Sequence, residues 1–109
     1  MTTEMLLEQI AAREEELIAL RRFFHENPET DAQEKETSAF CRSQMEQLGL
    51  PIHPVTEYSF YAVLDTGRPG RTLALRTDID GLSMEESPEN LVGKKVCCSK
   101  HPGKAHTCG

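Results

Sequence analysis

Apolar residues in the first quarter of the chain return at three- and four-residue steps, at Leu6, Leu7, Ile10, Ala11, Leu17, Ile18, Leu20 and Phe24, with Glu and Arg filling the gaps. That period predicts one amphipathic helix of about six turns, ending near Pro28. Thr30 followed by Gln33 reads as a capping box. Ala39, Phe40, Cys41, Met45 and Leu48 then predict a second helix over 31–48, stopped by Gly49.

The period changes at Leu50. Residues 51–55 and 60–64 read as short extended segments, and the Thr66-Gly67-Arg68-Pro69-Gly70 stretch is dense in turn formers ahead of the apolar alternation in 72–76. The pattern predicts a hairpin pairing 59–65 with 71–77, a polar turn-prone stretch over 83–93, and a last short strand, Lys95-Val96-Cys97-Cys98. Two N-terminal helices followed by strands of a mixed sheet make an α/β arrangement, a sheet layered with helices. No internal repeat or linker divides the chain, and 109 residues suffice for one domain at most.

Composition narrows the function. With 38% hydrophobic and 28% charged residues the chain has the balance of a folding globular protein. A net charge of −6 argues against a nucleic-acid partner, since Arg21-Arg22 and Lys94-Lys95 are too few to make a basic face. No stretch reaches the roughly 20 apolar residues that span a bilayer, and the N-terminus has no basic start and apolar run, so the default expectation is a cytoplasmic protein that avoids membranes. Cys41, Cys97, Cys98 and Cys108 then read as thiols or metal ligands, not as a disulfide framework.

Three stretches carry candidate chemistry. In "RTDIDGL", residues 76–82, Asp78 and Asp80 share one face of a strand and lie at its C-terminal edge, where α/β sheets bind ligands. They read either as carboxylates for a cation or a metal-bound His, or as a polar turn. In "RRFFHENPE", residues 21–29, His25 sits where a helix macrodipole favours a cap. The third stretch packs Cys97, Cys98, His101, His106 and Cys108 into twelve residues. Cys98, His101, His106 and Cys108 would make a self-contained zinc set of unusual spacing in a small zinc-binding or interaction module; the alternative is two buried thiols and two solvent imidazoles.

In this order the segments resemble the metal-dependent amidohydrolases related to hippurate hydrolase, N-acyl-amino-acid hydrolases and plant indole-acetyl-amino-acid hydrolases, in the aminoacylase and carboxypeptidase superfamily. The opening pattern is matched by Arg21-Arg22, the bulky Phe23-Phe24, His25, Pro28-Glu29, Glu34 and Thr37. The second motif, a Gly- and Pro-rich hairpin followed by Arg, a small residue, Asp, an apolar residue, Asp-Ala-Leu-Pro and a nearby Glu, is matched from Gly67 to Glu85-Glu86, with Gly81 in place of Ala and Ser83 in place of Pro. The third is matched by His106-Thr107-Cys108-Gly109, the first half of a metal-binding loop whose Cys is a ligand.

The resemblance implies that residues 1–109 are the N-terminal part of a zinc-peptidase-like catalytic domain, a truncated amidohydrolase lacking the family's small dimerisation domain. Full-length relatives hydrolyse the amide bond of N-acyl amino acids with two divalent cations, Mn²⁺ or Zn²⁺, and a bridging water. Cys108 is the one metal ligand that carries over, and Asp78 matches a position that orients a ligand. No catalytic residue carries over. The chain alone is then expected to be inactive, to hold metal unstably, and to self-associate through an exposed sheet edge.

Overall fold

The computed structural model describes residues 1–107, so Cys108 and Gly109 lie outside the described residues. Three helices and two small antiparallel sheets follow one another along the chain: α1 (Thr3–Ala11), α2 (Glu14–Glu26), α3 (Lys35–Gln47), β1 (Ile52–Pro54), β2 (Phe60–Ala62), β3 (Glu89–Asn90) and β4 (Gly93–Lys94). β1 pairs with β2 and β3 with β4, so the α/β character holds while the mixed sheet does not form among the described residues.

The single long helix expected at the N-terminus is two. Thr2 caps α1, its hydroxyl accepting from Met5 N at 3.2 Å. The ladder then breaks at Ala12 and Arg13, and α2 begins with Glu14, Glu15 and Glu16 in its first turn. Three acids in one turn are favoured beside the positive end of a helix dipole and gain nothing mid-helix. Arg13 fixes the join by gripping Glu16 with two 2.9 Å bonds. At the far end Asn27 turns its side-chain amide onto Phe23 O at 2.8 Å, and Pro28 cannot continue the ladder.

α3 starts four residues later than the capping-box reading places it. Thr30 does not cap it; Glu29 does, its carboxylate accepting from Thr37 N at 2.5 Å and Glu36 N at 3.1 Å. Burial alone would raise the Glu29 pKa, but the Thr37 donors, the Glu36 N–H and nearby Lys104 hold it below the ordinary value. The C-terminal stop is at Gly49, as expected. With φ at +74° it lets Gly49 N reach Glu46 O at 2.9 Å and Leu50 N reach Met45 O at 3.1 Å, the two bonds of a Schellman cap.

α2 and α3 meet through Phe40, whose ring centroid is 4.8 Å from Phe23 and 5.4 Å from Phe24. The β1–β2 hairpin docks on α3 by polar contacts: Ser38 Oγ donates to Tyr58 O at 2.6 Å, Arg42 donates to Glu57 O at 2.9 Å, and the Arg42 guanidinium lies 5.3 Å from the Phe60 ring centroid.

Pairing of 59–65 with 71–77 does not occur. β2 takes β1 as its partner, Ile52 opposite Ala62 and Pro54 opposite Phe60. Residues 71–80 are irregular, and Leu73 and Leu75, which made the segment look like a strand, are 82% and 90% exposed. Their turn is present: Asp65 Oδ1 accepts from Gly67 N at 2.8 Å. The last strand is also displaced, to Gly93–Lys94, because Lys95 and Ser99 turn toward Glu86 instead of continuing a ladder.

Large apolar side chains of α1 and α2 are half exposed, and the fully buried positions gather where residues 25–38, 81–86 and 95–106 converge. Gly81 makes that convergence possible. Its N–H reaches Glu29 O at 2.6 Å and the next residue pairs with Ala105, while a Cβ at Gly81 would stand 3.0 Å from Pro28 Cβ and 3.1 Å from Ala105 O. Neither neighbour is the free end of a side chain. Gly81→Ala should therefore destabilise the chain by about 1–2 kcal/mol even though Ala is the residue the family motif carries here, a cost that urea unfolding would read directly.

Candidate functional site

The convergence is organised by a buried carboxylate. Glu86, its side chain 6% exposed, accepts from Lys95 Nζ at 3.1 Å and from the Ser99 N–H, and its Oε2 is 2.9 Å from His25 Nε2. Because the carboxylate can only accept, His25 must carry a proton on Nε2. Burial pushes the Glu86 pKa up, yet the Ser99 amide, the Lys95 ammonium and His25 outweigh it and hold the group down to about 2. His25 is thus more than a helix cap: it sits at the C-terminal end of α2, as expected, and is buried against a partner 61 residues away.

Around this centre the segment 95–105 is strapped to α2. Lys100 N donates to Glu26 O at 2.9 Å and its ammonium meets the Glu26 carboxylate at 2.8 Å, while Glu85 accepts from Gly103 N at 2.5 Å. Leu82 and Ala105 exchange backbone bonds of 2.8 and 3.0 Å. These contacts deliver His106 to the junction. His106 Nε2 is buried with no hydrogen-bond partner among the described residues. Burial, then the nearby charge of His25, lower its pKa against the opposing pull of Asp80, so the ring is neutral near pH 7.

Asp78 and Asp80 do not share a face, because residues 76–80 are not a strand. Asp78 is exposed and paired with Arg76 at 2.9 Å. Asp80 points inward and joins Asp31 and Glu34, whose carboxylate oxygens lie within 4.8 Å of one another. The residues suggested as a self-contained zinc set are not gathered among the described residues: His101 lies 3.4 Å from Asn27 Oδ1, His106 Nε2 is unpartnered, and the carboxylate trio is the one group of ligand type that converges. Cys108, the ligand carried over by resemblance, lies outside the described residues. Glu29 and Glu86 both lie within the matched motifs, but their parts as acceptors for Thr37 N and for His25, Lys95 and the Ser99 N–H come only from the fold.

Comparison with known proteins bears out the resemblance drawn from the motifs. The chain is 38% identical over 96 residues to a Bacillus subtilis protein named as an amidohydrolase, YhaA, covering 87% of the chain and 23% of that protein. It is 35% identical over 98 residues to the N-acetyldiaminopimelate deacetylase of Enterococcus faecalis, covering 88% of the chain and 25% of the enzyme. It is 34% identical over 110 aligned residues to the N-acyl-L-amino acid amidohydrolase of Geobacillus stearothermophilus, covering 100% of the chain and 28% of the enzyme. The chain thus spans about a quarter of the length of the curated relatives it matches. No family model matches, and no solved structure matches significantly. No helix of the described residues is long and apolar enough to cross a membrane.

The Glu86 junction makes a signed prediction. A carboxylate held at about 2 against an ordinary 4.5 contributes on the order of 3 kcal/mol when ionised. Its folded-state pKa is depressed, so the contribution is complete above pH 4.5 and disappears as pH falls toward 2. Glu86→Gln should lower stability at pH 7 by that order and flatten the pH dependence between those limits. Urea midpoints from pH 2 to 7 for parent and variant would check both.

Proposed function

We propose that this chain, a relative of the amidohydrolases and deacetylases of N-acyl amino acids, forms part of the catalytic domain of a metal-dependent amidohydrolase. The observation that carries the reading is the match itself: 34–38% identity to three such proteins across 87–100% of the chain. Support comes from the fold, where the three matched motifs converge: His25 and Glu29 from the first, Asp80 and Gly81 from the second, and His106 from the third.

The donor chemistry fits a divalent cation. A thiolate is a donor that a borderline metal selects, and the carboxylate oxygens of Asp31, Glu34 and Asp80 lie within 4.8 Å of one another. Cys108 would supply the thiolate. When bound, Mn²⁺ or Zn²⁺ lowers the pKa of a water and polarises the scissile amide carbonyl. The chain's own residues do the positioning. Glu86 fixes the backbone of 95–99, the Leu82–Ala105 bonds fix the approach to His106, and Glu29 ties the start of α3 to Gly81. One thiolate does not hold a hydrolytic metal, which needs about three protein ligands, so the 109 residues alone should not turn over substrate.

The test is a chimera in which these residues replace the matching segment of the Geobacillus amidohydrolase. With Mn²⁺ or Zn²⁺ it should hydrolyse N-acetyl amino acids, and Cys108→Ala should lower kcat/KM by at least 100-fold. A folded chimera that loads metal but leaves the amide intact would overturn the assignment.

A further inference from the structure

Between the last two turns of α2 and the segment 95–107 lies a cleft of about 350 Å³. Its lining includes Arg21, Arg22, His25, Lys95 and His106, and no Asp or Glu, in a chain that carries 18 acids against 12 bases. The segregation is local. Two acids act on the lining residues from outside it: Glu86 has both oxygens engaged, Oε1 by the Ser99 N–H and Oε2 by Lys95 and His25, and Asp80, which acts on His106, gathers with Asp31 and Glu34.

One negative charge therefore answers the lysine and the inner histidine, and the Arg22 guanidinium takes no part in that pairing. Arg22 is exposed and meets no carboxylate in an ion pair among the described residues. His106 Nε2 is buried without a partner among the described residues, a group to be satisfied by a hydrogen bond with whatever fills the space. Val96 and Cys97 add an apolar strip.

We propose that this cleft binds the carboxylate of a small organic acid, with Arg22 gripping the two oxygens, His106 donating through Nε2, and Val96 and Cys97 lying against the organic part. A planar guanidinium matches a carboxylate bidentately, and a neutral imidazole presents one N–H whose tautomer the anion selects. The volume lies at the small end of ligand pockets, which suits an amino-acid-sized acid. The apolar strip favours an organic acid over inorganic phosphate. The inference rests on the amidohydrolase reading for the identity of the acid: an N-acyl amino acid carries one free carboxylate, and hydrolysis releases a second.

The test needs neither metal nor turnover. The 109-residue chain is titrated by NMR with N-acetylmethionine, with N-acetylmethionine amide, which lacks the carboxylate, and with inorganic phosphate. The acid should shift the His106 ring and Lys95 resonances saturably. The amide should not shift them, and phosphate should bind more weakly. Arg22→Gln should weaken the acid at least tenfold, with Arg22→Lys restoring part of the loss. The proposal is overturned if the amide titrates like the acid, if phosphate binds more tightly, if Arg22→Gln leaves the isotherm unchanged, or if none of the three produces a shift. None of those results touches hydrolysis by the chimera, and an inactive chimera whose cleft still binds the acid would sink the enzyme reading alone.

Discussion

An ionised carboxylate buried between two distant parts of the chain is expensive: stripped of water, Glu86 loses solvation worth several kcal/mol. It is tolerated because three donors from two segments converge on it, His25 from α2 and Lys95 and the Ser99 amide from the loop beyond β4. The balance is conditional on all three. Remove one donor and the charge remains, buried and underpaid; remove the charge and the two segments lose what aligns them. Because few apolar side chains are fully buried among the described residues, this polar junction does the organising that a hydrophobic core does elsewhere.

The same logic explains why backbone groups approach so closely beside it. Gly81 N on Glu29 O and Leu82 on Ala105 let three segments meet without side chains between them, and each bond requires the others to hold register. Glu29 is shared: its carbonyl takes Gly81 while its carboxylate closes the open end of α3. A residue that a motif match identifies only as part of Pro-Glu is thus a strut between a helix N-terminus and the segment that carries Asp80.

How far the sequence could be read follows the range of the forces. The helices were readable because a 3.6-residue period and the Gly49 stop are local signals. The break after α1 was not, since Glu14, Glu15 and Glu16 look the same on the polar face of a long helix as in the first turn of a new one. The hairpin was misassigned because Leu73 and Leu75 alternate as strand residues do, and alternation carries no information about which strand is the partner. His25 was placed at the end of its helix, but nothing near it in sequence announces Glu86. Asp78 and Asp80 were paired on the premise of a strand; without the strand the two separate, one to Arg76 at the surface and the other to Asp31 and Glu34.

That separation also places His106 between opposite fields. Asp80 favours its protonation, whereas burial and His25 oppose it and prevail. At His25 the carboxylate is instead in direct contact, Glu86 Oε2 lying 2.9 Å from Nε2. At His106 the cations line the near wall and the ring keeps a lone pair or an N–H to offer, according to its tautomer. The two histidines of the junction therefore do different work: His25 spends its Nε2 proton on holding the fold together, which leaves His106 the one of the pair available for a ligand.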